Sequence, residues 1–412
     1  MIEAFEDWSP PADGSIPGPT GRIALEGDCP IQQVITVDGG HQAVPNIARP
    51  ERQVGFVQVA AQMIKIEDIE HLRAHPMADP REVRPMLGRF THHTLAVLPL
   101  TGVNIPGLTV RQSLRTVVHR FLSHYELYEA LSYLVYRRWQ TALDEPPSMN
   151  CLGCARPFDL PRHATRFHCP ECQEEHTLSD YLGLFEQDSE DRSRAETVSN
   201  LRAVLEALVL FSFIVRFRDR KTIMERTLFL LDGPLILRAQ LGRLVEPIRA
   251  VIADQRDSGR PIYLVGVEKT GGLRSFADVC ATTLANPGDY FLPDTRYIVE
   301  EIHGRAFNEH TYRNRVNYGA KVVARIGTNH VLALNVPTGE FSLSPRPEDL
   351  IGFPEIVRTL ADLISYSHEN ALIPIVLANT ESSISNQPSG GLLEQFVDRI
   401  LAGDDQVACE QR

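Results

Sequence analysis

The sequence contains no apolar run long enough to cross a bilayer. The longest, residues 207–215, is interrupted by Ser212 and falls far short of the roughly 20 residues a spanning helix needs. The first residues, MIEAFEDWSPPADG, are acidic and lack the positive start and apolar stretch of a signal peptide. The expectation is a cytoplasmic protein without a membrane span. Positive charge is also in short supply. Lys and Arg number 41 against 53 Asp and Glu, a net charge of −12. Such a chain does not draw phosphate polymers by its overall field. If it meets DNA, metal ions, a local basic groove or a basic partner must supply the attraction. There is no internal repeat, which excludes a solenoid. No Gly-rich nucleotide loop is present, which argues against a nucleotide-dependent transferase.

What is present is ordinary in bulk. Hydrophobic residues make up 43% and charged residues 23% of 412. That excludes collagen-like, coiled-coil and wholly disordered chains. The length fits two or three domains, or one large domain with insertions.

The seven cysteines are Cys29, Cys151, Cys154, Cys169, Cys172, Cys280 and Cys409. Four of them form CLGC and CPEC, two C-x2-C knuckles separated by 14 residues. Each knuckle offers two thiolates from a tight turn, and two knuckles complete a tetrahedral shell suited to Zn²⁺. His163, His168 and His176 lie nearby, but the thiolates of Cys151, Cys154, Cys169 and Cys172 already fill the shell. A closed shell leaves no position for chemistry, so the zinc is expected to be structural. The ribbon sits between two predicted helices and reads as an inserted module able to touch DNA or a protein partner.

Along the chain, residues 1–29 read as a flexible lead-in with a hairpin near 21–25. Residues 34–37 read as a strand that turns at Asp38-Gly39-Gly40. Residues 54–64 and 94–98 read as further strands. Apolar spacings of three and four predict one helix over 114–139. Residues 188–194 read as a charged linker, followed by a helix over Arg194–Phe217. Apolar strands follow at 227–231 and 261–267, with a helix over 237–256 between them. A hairpin is predicted from 320–325 and 330–336, then helices at 347–367 and 391–402. Strands first, then helices alternating with strands, suggest an α/β mixed sheet with helices on both faces.

Two apolar strands end alike, in ITVDGG and LFLLDGPL. A buried strand delivers its terminal carboxylate to the sheet edge, and glycine lets the chain turn away. Asp38 and Asp232 placed so can hold one or two divalent cations for metal-assisted phosphodiester hydrolysis. Either Asp-Gly alone is more often a plain turn. Glu206 lies in the otherwise apolar LRAVLEALVLFSFIV, where a carboxylate is costly unless paired or metal-bound. Its bland alternative is an i,i+4 ion pair with Arg202 on an exposed face. Lys269 ends the strand in GVEKTGG and can meet a phosphate or a developing charge, or simply be solvated. The basic runs Arg137-Arg138, 216–221 and 312–315 are candidate phosphate contacts, although such runs are usually solvated faces.

Taken together, VDGG, a helical glutamate, LLDGPL, GVEK and the late pair YGAKVVARIG…HVLALNVP resemble the NurA nuclease family over about residues 30–385. The resemblance implies an RNase H-like mixed sheet and Mn²⁺- or Mg²⁺-dependent cleavage of single- and double-stranded DNA. It implies Asp38, Glu206 and Asp232 as metal ligands, with Lys269 beside them. It further implies a homodimer working with a HerA-type hexameric ATPase in DNA end processing, repair or anti-phage defence. On this reading residues 30–147 and 190–403 form the nuclease domain. The inserted ribbon spans 148–189, and 404–412 is a tail. Two departures stand out. The family's DGS is Asp38-Gly39-Gly40 here, and its late Ala-His pair, preceded by a tyrosine, is replaced in LIPIVLANTESSIS by Asn379. Asn cannot shuttle a proton near neutral pH; His330, His368 and Glu381 are the candidate substitutes. The competing reading is a catalytically degenerate zinc-ribbon adaptor that binds the ATPase and DNA without cutting.

Overall fold

The computed structural model describes residues 18–74, 91–141, 145–185, 194–237, 239–308, 316–365, 371–384, 392–399 and 401. Its strands are β1 (Thr20–Arg22), β2 (Gln33–Pro45), β3 (Gln53–Lys65), β4 (Thr91–Pro99), β5 (Ser148–Asn150), β6 (Pro157–Asp159), β7 (Arg166–His168), β8 (Glu175–Thr177), β9 (Thr227–Asp232), β10 (Tyr263–Glu268), β11 (Asp289–Phe291), β12 (Ala320–Gly327) and β13 (His330–Val336). The main helices are α1 (Ile66–Ala74), α2 (Val110–His124), α3 (Leu127–Val135), α4 (Arg194–Phe217), α5 (Val245–Asp257), α6 (Gly272–Cys280), α7 (Phe353–Asp362) and α8 (Ile373–Ser382).

Nine strands form one sheet in the order β1-β11-β12-β13-β10-β9-β2-β3-β4. At one end of it, β2, β3 and β4 form an antiparallel meander. The chain then crosses through α4 to β9, parallel to β2, and through α5 to β10, parallel to β9. A three-stranded meander extended by two parallel, helix-linked strands is the RNase H-like arrangement. The β12–β13 hairpin continues the sheet antiparallel beyond β10.

Alternation along the strands divides the core. Ile35, Val37, Phe229, Leu231 and Leu264 share one core with residues of α3, α4 and α5. Val34, Leu228, Leu230, Val265 and Val267 share another with α7 and α8. α4 is long and apolar enough to cross a membrane by composition, yet 78% of its most apolar window is buried inside the fold. Burying side chains such as Phe211 and Leu205 stabilises the fold by about 1.5–3 kcal/mol each, which explains a core helix of this composition. The ribbon strands pair as β5–β6 and β7–β8. Met149, Phe158 and Phe167 from them join the same core as α3 and α4.

Several expectations need correction. The predicted helix over 114–139 is two helices. α2 opens with a capping box, in which the Thr109 side chain accepts from the Gln112 amide and the Gln112 side chain accepts from the Thr109 amide. It ends where Glu126 adopts φ 57°, and the redirected α3 buries Leu127, Ala130, Leu131 and Leu134. Apolar periodicity runs through that break and conceals it. Residues 20–22 form no local hairpin. They pair with β11, Thr20 opposite Phe291, so part of the lead-in is an edge strand. β2 does not turn at Asp38 but continues to Pro45. The helix expected over 347–367 is a short 3-10 turn at Pro347–Asp349 followed by α7.

Candidate functional site

The last rung of the β2–β9 ladder is Val37 opposite Leu231. One residue on, β9 ends at Asp232, while β2 runs past Asp38. Gly233, at φ 136°, carries the chain away, as expected. The two aspartates therefore stand level on adjacent strands, about 4.8 Å apart in backbone. Asp38 Oδ1 accepts from the Gly39 amide at 2.8 Å. Its Oδ2 accepts from the Ser382 hydroxyl at 2.7 Å. Asp232 Oδ2 accepts from Lys269 Nζ at 2.7 Å.

Glu206 reaches this edge from α4. Its Oε1 accepts from Arg202 Nη1 at 2.7 Å, and the same nitrogen donates to the Gly39 carbonyl at 3.1 Å. The i,i+4 pair with Arg202 is thus real, but the face is not exposed: Glu206 is 5% accessible. The glycines of the Asp-Gly-Gly motif serve close approach, not a turn. A Cβ on Gly39 would lie 2.6 Å from Glu206 Oε1, and one on Gly40 would lie 2.3 Å from the Ser382 carbonyl. Gly39 faces α4 and Gly40 faces α8, so Glu206 approaches from one face and Ser382 from the other. Gly40→Ala should therefore destabilise the protein by about 1–3 kcal/mol, the usual cost of overpacking against backbone. Urea unfolding of the variant beside wild type measures it; an unchanged midpoint would contradict the packing described.

The charges at this edge are under strain. Burial pushes the Glu206 carboxyl up to about 8; Arg202 opposes this, and Asp38 and Asp232 reinforce it by repulsion. Burial also pushes Asp232 up to about 6, with Asp38 adding to it and Lys269 opposing. Carboxylates that resist ionisation together are relieved by a divalent cation, and oxygen donors suit Mg²⁺ or Mn²⁺. The donor set fits such an ion in chemistry. It is not yet gathered around one point, because each carboxylate is drawn to its own partner. Among the described residues, the four-cysteine group is the one set whose ligand atoms all lie within 4.8 Å of one another.

Sequence reasoning missed three features of this region. Ser382 holds Asp38, and a lone serine near a helix end carries no signal of that. Glu268, buried at the end of β10, accepts from Asn335 at 2.7 Å and pairs with Lys321. This fixes the strand end that carries Lys269. Three polar residues on otherwise apolar strands were the clue to it. Tyr318 is buried, and burial, with Glu206 adding to it, raises its phenol. Of the substitutes for the late histidine, Glu381 lies 3.4 Å from His93 Nε2. His93 shares a cross-strand row with Ala60 and Asp38. His330 starts β13 at the hairpin tip, His368 lies outside the described residues, and Asn379 is exposed on α8. The basic runs give little. Arg137 pairs with Glu246, Arg218 with Glu129 and Asp219, and Lys221 with Glu225; residues 312–315 lie outside the described residues.

In the ribbon, Cys151 and Cys172 sulfurs lie 3.5 Å apart and those of Cys154 and Cys169 lie 3.8 Å apart. These separations exceed a disulfide bond of about 2.05 Å and match four ligands facing one point. His176, fully buried, places Nε2 3.3 Å from Cys151 Sγ and Nδ1 3.3 Å from Asp180 Oδ2. Asp180 in turn accepts two hydrogen bonds from Arg115 of α2, at 3.1 and 2.7 Å. Burial alone would raise Asp180, but His176 and Arg115 hold it below the usual carboxylate range. His176 thus stands outside the four-cysteine group and contacts one of its sulfurs. Cys29 and Cys280 lie elsewhere as free thiols.

No family model matches the chain, and no curated protein does. Among solved structures the chain is similar to the NurA nuclease from Sulfolobus solfataricus, with 10% identity over 94% of this chain and 86% of that one, at a TM-score of 0.35. It is similar to a second NurA structure at 9% identity over 92% and 90%, TM-score 0.31. It is also similar to a structure of NurA with manganese, at 12% identity over 92% and 90%, TM-score 0.27.

Proposed function

We propose that the chain is a divalent-metal-dependent deoxyribonuclease whose ligands are Asp38, Glu206 and Asp232. The observation that carries this reading is the placement of three carboxylates, from β2, α4 and β9, near the end of the parallel strands, two of them raised above their ordinary pKa by burial and by the charges of their neighbours. Bound there, Mn²⁺ or Mg²⁺ supplies an activated water and neutralises charge on the phosphate. The chain's own groups do the positioning. Ser382 fixes the rotamer of Asp38. Arg202 holds Glu206 against Gly39. Lys269, one-third exposed, is placed to meet a non-bridging phosphate oxygen. Zn²⁺ in the Cys151, Cys154, Cys169 and Cys172 shell has a structural role. A homodimer and a HerA-type hexameric ATPase complete the proposal, in end processing or defence against phage. The net charge of −12 supports a partner that grips DNA on this protein's behalf.

The test is cleavage of linear and circular DNA, with and without the ATPase. Asp38→Ala and Asp232→Ala should each lower the rate by about 10³-fold or more, the scale set by losing a group that stabilises charge in the transition state. Circular dichroism should be unchanged, since each change removes a single carboxylate and leaves the apolar core intact. Cutting by wild type that survives excess EDTA would overturn the reading. The adaptor reading draws on Asn379 and on carboxylates already engaged by Ser382, Arg202 and Lys269. It predicts ATPase and DNA binding with no cutting under any divalent metal.

A further inference from the structure

A groove of about 830 Å³ runs between α2 and the ribbon hairpin β7–β8. One face of α2 lines it over three turns, with Gln112, Arg115, His119, Arg120 and His124 at helical spacings. At 1.5 Å per residue this stripe extends about 18 Å. Arg166 forms the opposite wall. Its guanidinium donates to His119 Nε2 at 2.9 Å, and burial followed by Arg166 lowers the His119 pKa. The histidine is therefore a neutral acceptor that aims Arg166 along the groove. Glu174 and Glu175 share this wall, but Glu174 is engaged by Arg115 at 3.1 Å and Glu175 by Arg166 at 3.6 Å. Arg120 is exposed and makes no ion pair among the described residues.

At its His124 end the groove approaches β4. His124 stacks edge-on with Tyr125, and Tyr125 with His92 of β4. The Tyr125 hydroxyl accepts from the Leu95 amide of β4 at 3.3 Å. Arg216 of α4 also faces His92, where burial and then that guanidinium lower the imidazole's pKa. A row of polar and cationic side chains thus runs from the ribbon along α2 toward β4, in a chain that is acidic overall.

We infer that this groove seats the sugar-phosphate backbone of a single DNA strand, with the ribbon as its outer wall. The inference rests on the nuclease reading for its choice of ligand and deepens it by giving the ribbon a substrate-holding role. The groove admits a strand of a few nucleotides and is too small for a duplex. Cationic side chains on its walls release counterions when a backbone is bound.

The experiment is fluorescence anisotropy of a labelled oligothymidine and of a duplex of equal length, over a salt series with no added Mg²⁺ or Mn²⁺. Wild type is compared with the Arg120→Ala, Arg166→Ala double variant and with Arg346→Ala, a surface arginine far along the chain. The double variant should bind the single strand about tenfold more weakly. Its log–log salt slope should be shallower by about 1.4, near 0.7 for each single-strand phosphate that is no longer neutralised. Zinc content and circular dichroism establish that the ribbon remains folded. Arg120→Glu alone, at a side chain with no ion pair to lose, should weaken binding even if Arg166 proves structural. An unchanged affinity and slope in both variants would overturn the inference. So would an equal loss with Arg346→Ala, or an equal loss for the duplex. Because binding is read without cutting, the two readings fail separately. A wild type that binds through these arginines but never cuts refutes the nuclease, whereas one that cuts while the arginine variants bind normally refutes the groove.

Discussion

Glu206→Gln should abolish DNA cleavage and, at pH 8 and above, make the protein more stable than wild type. The amide keeps the size of the side chain and offers an oxygen to Arg202, but it removes a buried charge. Burial holds the folded-state pKa of Glu206 near 8, against an ordinary 4.5. A carboxyl raised in this way favours the folded state while it is protonated. That contribution is present in full below about pH 4.5 and is lost as the pH climbs to about 8. A difference of one between the folded and unfolded pKa corresponds to about 1.4 kcal/mol, so the ionised form costs the fold on the order of 4–5 kcal/mol as an upper figure. The difference in unfolding free energy between variant and wild type should therefore be small at pH 4.5 and grow to several kcal/mol by pH 8. Added Mn²⁺ should narrow the gap by stabilising wild type and should do little for the variant, because ligand that binds only the folded state raises its apparent stability. Urea titrations at three pH values, with and without Mn²⁺, measure all of this. A variant that cuts at the wild-type rate, or a stability difference that is flat from pH 4.5 to 8, would remove Glu206 from the site.

That expected trade of stability for activity explains which parts of the molecule were legible in the sequence. Strands β9 and β10 are nearly pure apolar runs, and a central strand buried on both faces has few other ways to read. Strand-end Asp232 and Lys269 follow directly from where those runs stop. The cysteine spacing carries its own geometry. Asp38-Gly39-Gly40 misleads because glycine has two uses. It permits left-handed turns, as at Gly233, and it permits close approach, as at Gly39 and Gly40. Only the tertiary positions of α4 and α8 decide between them. The break between α2 and α3 is hidden because both helices bury apolar residues at helical spacings. One left-handed residue, Glu126, redirects the chain without interrupting the pattern. The pairing of β1 with β11 joins segments far apart in sequence, and neither three-residue strand has a signal of its own. The donor stripe on α2 looks like any solvated helix face until the ribbon hairpin stands opposite it. Side chains whose meaning depends on a second, distant element are the ones local reading misses. Ser382, Glu268 and Arg120 all belong to that class.

The ribbon should depend on its metal for its structure, and its loss should reach into the core. Elemental analysis of protein purified without chelator should find one Zn²⁺ per chain. Cys151→Ser should remove it. Structural zinc binding is worth about 10–16 kcal/mol in small isolated domains, and part of that is folding free energy here. The ribbon's short hairpins, each of three-residue strands, have little pairing of their own to fall back on. Phe158, Phe167 and Leu178 pack into the same core as α3 and α4, so melting the ribbon strips cover from those helices. The variant should accordingly unfold in two steps, the first well below the wild-type midpoint and accompanied by new near-ultraviolet and dye-binding signals. Asp180→Asn tests the support behind the metal. It leaves all four thiolates in place but weakens the hold on His176 and on Arg115, and should lower zinc affinity by about 10–100-fold, as loss of a supporting group does elsewhere. Thiol titration distinguishes the cause, since chelation should expose four additional reactive thiols in wild type. Finding those sulfurs already joined as disulfides, or a Cys151→Ser protein that melts as wild type does, would show that the four cysteines are held together by something other than a metal.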